Sequence, residues 1–124
     1  MKIEFLVLAS ILLLSIVPKM AYAELLSFEC LFTEYSDNRG KHQYTKAHSF
    51  KISWDKNSKK ASQRFNSREV TYRVVDGHDM VSFIHSEANG NVIVTSIAKI
   101  NGHAVHSRNV FGISLQSYGQ CQID

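Results

Sequence analysis

VTYRVVDGHDMVSFIHSEANGNVIVTSIAKINGHAVHS, residues 70–107, is the stretch whose reading decides the fold. Val70, Tyr72 and Val74 fall on one side of the chain and Thr71 and Arg73 on the other. Period-two alternation is the mark of a β-strand, whose successive side chains point to opposite faces. Asp76-Gly77, Asn89-Gly90 and Asn101-Gly102 punctuate the apolar runs. These dipeptides favour tight turns, so a meander of antiparallel hairpins is expected, with strands over 70–74, 80–85, 92–100 and 105–115.

Working back towards the N-terminus, Phe28, Cys30 and Phe32 share one face of a first strand. Tyr44, His48, Phe50, Ile52 and Trp54 share one face of a second, with Thr45, Ser49, Lys51 and Ser53 opposite. Between them and the meander lies a ragged stretch, 55–68, holding Lys56, Lys59, Lys60, Arg64 and Arg68 and one large apolar residue, Phe65; at most a short edge strand is expected there. No long stretch shows the i, i+3, i+4 spacing of an amphipathic helix. The fold class expected is all-β.

The first 23 residues read as a secretory leader. An apolar run from Phe5 to Val17 follows Lys2 and precedes Ala21-Tyr22-Ala23, so cleavage is expected between Ala23 and Glu24. The run is too short for a transmembrane span, which needs about 20 apolar residues. Glu24, rather than a cysteine, follows the cut, which argues against a lipid anchor. Residues 24–124 then form a single β domain. The leader removes Lys2, Lys19 and Glu4, leaving 12 Lys+Arg against 10 Asp+Glu, a mildly basic balance that does not indicate nucleic acid. A periplasmic or secreted location is expected, with no transmembrane segment after cleavage.

Cys30 and Cys121 stand near the two ends of the exported chain, where an oxidising environment makes pairing the default. The first and last strands of an open meander lie too far apart for two Cα atoms to come within about 7 Å. A Cys30–Cys121 disulfide therefore requires the sheet to curl into a small barrel, or a sandwich that brings its ends together, which also removes exposed strand edges.

Chemistry is sparse. Six histidines (His42, His48, His78, His85, His103, His106) survive cleavage, yet there is no H-E-x-x-H spacing and no C-x-x-C, so neither a metal nor a cofactor is expected. The absence of G-x-S-x-G removes the main sign of a serine hydrolase. The basic run 56–68 has little aromatic interleaving and does not suggest base stacking. The candidate binding face is a cationic stripe of His85, Lys99, His106 and Arg108 on consecutive strands, pointing away from Val94, Ile100 and Val105. An ordinary polar sheet face would look the same.

Phe28-Glu29-Cys30, the hairpins and Gly119-Gln120-Cys121 together resemble a loose group of uncharacterised small secreted bacterial proteins with a signal peptide and a terminal cysteine pair. That resemblance implies a fold and a compartment and carries no functional residues. In size, export, β content and disulfide the chain is also similar to periplasmic inhibitors of C-type lysozyme. Their Ser-Gly-x-x-Tyr loop is missing here, and a net-positive chain has the wrong charge for a basic lysozyme. The function expected is a non-enzymatic binding or interaction module, its partner an extracytoplasmic protein or an anionic surface. The alternatives are an inhibitor of an extracytoplasmic hydrolase or, less favoured, a small hydrolase.

Overall fold

The computed structural model describes residues 25–123 apart from Asn66, and the leader and its cleavage site lie outside these residues. Eight strands follow one another: β1 (Leu25–Asp37), β2 (Gly40–Asp55), β3 (Lys60–Phe65), β4 (Arg68–Asp76), β5 (Met80–Ser86), β6 (Val92–Ala98), β7 (His103–Val110) and β8 (Ile113–Ile123). Each pairs antiparallel with its neighbours, and β8 pairs with β1, so the meander closes as a barrel. Of the two closures open to the sequence, barrel and sandwich, the chain takes the barrel.

One end, here the lower, gathers the start of β1, the end of β8 and the β2–β3, β4–β5 and β6–β7 loops. The upper end carries the other four turns. The inward faces follow from the alternation: Phe28, Cys30 and Phe32 on β1, Phe50, Ile52 and Trp54 on β2, Val81 and Phe83 on β5 are all buried. Phe28, Trp54 and Phe83 meet with ring centroids 5.6 to 6.5 Å apart and plug the lower half. An eight-stranded barrel is about wide enough for side chains to fill it.

Cys30 and Cys121 are direct partners in the β1–β8 ladder, Cα atoms 3.9 Å apart, and they are disulfide-bonded across the seam. A Cβ on Gly119 would collide with the carbonyl oxygen of Leu31. Only glycine lets β8 lie this close to β1.

Three expectations change. First, β3 is no edge strand: it pairs with β4 along its length and with β2 at Ile52, Ser53 and Trp54. Second, residues 105–115 are not one strand, because Phe111 (φ 53°) and Gly112 (φ 75°) turn the chain there. Both occupy the left-handed region of a tight hairpin turn, reached without the usual Asn or Asp because Asn91 Oδ1 accepts a hydrogen bond from the Phe111 N–H at 3.0 Å. Third, the single inward face expected for β2 is interrupted. Between Phe32↔His48 and Glu34↔Gln43 the register jumps, so residues 44–47 bulge opposite Thr33 and His48 is left exposed.

Candidate functional site

At the lower end the alternation that builds the core also builds a mouth. Trp54, Val74 and Ile97 are the last inward apolar residues of β2, β4 and β6, and two positions beyond each stands a charged residue: Lys56, Asp76 and Lys99. Trp54, Ile97 and the three charged residues, with Leu26, Phe28, Val81, Cys121 and Ile123, line a cup of about 490 Å³, inside the range of about 300–1,000 Å³ usual for small-molecule sites.

The loops around the cup are tied down. Trp54 Nε1 donates to the Ser58 carbonyl at 3.3 Å, which holds the indole against the β2–β3 loop carrying Lys56. The Lys99 N–H donates to the Asp79 carbonyl at 2.8 Å, joining the end of β6 to the β4–β5 loop. Cys121 N–H donates to the Gly102 carbonyl at 2.8 Å. Gly102 has φ 74°, and a Cβ there would strike the Cys121 carbonyl, so this corner also requires glycine. On the rim, Lys99 Nζ lies 2.6 Å from Asp76 Oδ1. No ion pair joins Lys56 to a carboxylate among the described residues. Two ammonium groups thus face one carboxylate above an aromatic and aliphatic floor.

A larger concavity of about 910 Å³ runs over the outside of β6, β7, β8 and β1, past Leu31, Met80, Val105 and Gln120. It is a trough on the outer wall, and its charged side chains near the seam are Glu29 and Glu34 and it converges on no core aromatic ring. The cup, with fixed walls and convergent charge, is the better-built site.

The four residues of the expected cationic stripe all follow the inward alternation, but they are spread along the barrel axis. Lys99 is at the lower rim. His106 is buried midway, its ring between Phe32 and Phe50 (5.7 and 5.1 Å between centroids), with Nδ1 2.7 Å from Thr95 Oγ1. His85 is at the upper rim, its Nδ1–H donating to the Thr71 carbonyl at 3.0 Å. Arg108 lies beyond His106 towards the upper end and is exposed. They form no continuous solvent-facing stripe, because His106 and Arg108 lie on the inner side of β7 and His106 is buried there.

Around His106 the interior holds a polar layer. Tyr72 donates to Gln63 Oε1 at 2.5 Å, and Tyr44 and Ser117 share a hydrogen bond of 2.6 Å. Burial drives the His106 pKa down to about 4, with Arg108 and His48 adding to the effect, so the imidazole is neutral at physiological pH. Burial raises the Tyr72 pKa to about 12, against a small opposing pull from Arg108, which keeps the hydroxyl a donor.

Trp54, Lys56 and Asp76 were not singled out as a site by the sequence reading. The signal was present: a charged residue two places beyond the last inward apolar residue, repeated on three strands whose ends meet. Comparison with known protein families, with curated proteins and with solved structures finds no match.

Proposed function

We propose that this chain is a non-enzymatic binding module, exported after cleavage at Ala23 into the periplasm or medium, which takes a small amphipathic anion in its lower cup. The observation that carries the reading is the cup itself: a floor of Phe28, Trp54, Val81 and Ile97 beneath a rim on which Lys56 and Lys99 outnumber Asp76. The apolar body of the ligand would cover the floor, and its carboxylate-like head would sit by the ammonium groups. The disulfide fits an oxidising compartment.

Trp54 is the chain's single tryptophan, so its fluorescence reports on the cup alone. The protein is titrated with decanoate, decanol and decyltrimethylammonium. A carboxylate about 4 Å from an ammonium gains about 1 kcal/mol in bulk water and about 4 near a protein surface, so decanoate should bind roughly tenfold or more tighter than the cation. Equal binding of all three would remove the rim from the account, and an unresponsive Trp54 would remove the cup.

A second reading, inhibition of an extracytoplasmic hydrolase, draws on Phe111. This aromatic ring is 83% exposed on a turn held rigid by Asn91, the geometry of a preformed protein contact.

A further inference from the structure

β2 is 16 residues long, yet β3 covers it only at Ile52, Ser53 and Trp54. On the side facing β3, residues 40–50 pair with no strand among the described residues, and β3 itself ends at Phe65. The wall therefore has a lateral slit above the β2–β3 pairing. The opposite edge of β2 is paired with β1 except at the bulge, residues 44–47. An uncovered strand edge presents main-chain donors and acceptors in a fixed row, ready to pair with another extended chain. The bulge at 44–47 divides this row into two stretches, 40–43 and 48–50, of about 13 and 10 Å at about 3.3 Å per residue.

The charges around the slit are mostly positive. Lys46 is exposed on the bulge of β2, and Arg64 and Arg68 are exposed on the β3–β4 side. None of the three makes an ion pair with a carboxylate among the described residues. The carboxylates of Glu34 and Asp37 lie on β1, across β2 from the slit, where Asp37 accepts from the Arg39 N–H and from His42, and Glu34 accepts from Gln43. Glu69, opposite Arg64 in the β3–β4 ladder, offsets part of the charge. Lys41 turns away, its ammonium 5.9 Å from the Tyr118 ring centroid.

We infer that β2 receives an acidic, extended segment of a partner protein, which adds to the barrel as a strand in this slit. Main-chain hydrogen bonds to residues 40–50 would hold it, and Lys46, Arg64 and Arg68 would select its charge. A second copy of this chain is a poor occupant, because two β2 edges side by side would bring Lys46 and the arginines of both copies together, and like charges across a strand pair are unfavourable. This surface is separate from the cup and does not depend on it.

The test uses three capped octapeptides added to ¹⁵N-labelled protein: (Val-Glu)₄, (Val-Lys)₄ and (Val-Glu)₄ N-methylated at alternate residues. With (Val-Glu)₄, amide shifts should move at residues 41–50 and 64–68, and the amides of β2 should gain protection from exchange. N-methylation, which leaves the charge and removes the main-chain donors, should weaken binding about tenfold or more. (Val-Lys)₄ should not bind. Arg64→Glu with Arg68→Glu should abolish the response; should that variant not fold, Lys46→Glu on the exposed bulge reads the same quantity. Equal binding of the N-methylated peptide would show ion pairing without strand addition, and equal binding of (Val-Lys)₄ would deny the charge selection. No binding, or a dimer formed through β2 on sedimentation, would overturn the inference.

Discussion

The ring of His106 sits between Phe32 and Phe50 with Thr95 as its hydrogen-bond partner, and Arg108 on β7 and His48 on β2 are the charged or titratable groups that bear on it. Its pKa falls from 6.5 to about 4 on folding. The unfolded chain therefore binds a proton more readily than the folded one over this window. Stability due to His106 is complete above about pH 6.5 and is lost as pH falls towards 4. At 1.36 kcal/mol per unit the loss is on the order of 3 kcal/mol. Urea unfolding of the wild type between pH 7 and 4 should show this decline, and His106→Leu, less stable at pH 7 because Thr95 loses its partner, should show a flatter profile. A variant with the wild-type slope would place the acid sensitivity elsewhere. This residue also marks a limit of legibility. Alternation groups His106 with Arg108 and sets both against Val105, but it does not say which group faces inward. Gln63, Thr95, His106 and Ser117 are all buried polar residues, and their hydrogen bonds, Thr95 with His106, Gln63 with Tyr72 and Ser117 with Tyr44, let the inner side look like an outer one.

Among the elements, the hairpins marked by Asn89-Gly90 and Asn101-Gly102 were readable because Gly90 (φ 93°) and Gly102 (φ 74°) meet the backbone's need at small cost; Asp76-Gly77 also marks a turn, though neither residue is in the left-handed region. The β7–β8 turn was not readable, since it places a phenylalanine in the left-handed region, where a non-glycine residue costs roughly 1–2 kcal/mol. Phe111→Asn should relieve part of that strain. An increase of about 0.5–1 kcal/mol in unfolding free energy is expected, read as a rise of a few degrees in Tm. A clear fall would mean that the Phe111 ring contributes to the fold despite its exposure. β3 was legible only as a short edge strand for another reason: its inward residues Ala61 and Gln63 are small or polar, so it has no hydrophobic alternation to detect. The β2 bulge is likewise silent, because a change of register depends on the partner strand.

At the scale of the whole molecule, closure follows from the pairing of β1 with β8, and the disulfide locks it at one point of that seam. The cysteine pair is separated by 91 residues, and a loop of that length restricts the unfolded chain strongly. Cys30→Ser with Cys121→Ser should cost about 2–5 kcal/mol, and at roughly 4–8 °C per kcal/mol for a domain of this size Tm should fall by about ten degrees or more. A double variant melting like the wild type would show that the ladder alone carries closure. Closure was legible from two cysteines and a meander; the cup was not, because it depends on where three strand ends converge.

The cup is the central functional claim, and its most direct test is where a bound chain lies. Intermolecular nuclear Overhauser effects are recorded between decanoate methylene protons and the protein. Contacts to the Trp54 indole, Phe28 and Ile97 are predicted, lost on Lys56→Glu with Lys99→Glu. Contacts confined to Leu31, Met80 and Val105 would put the ligand in the outer trough and contradict the account.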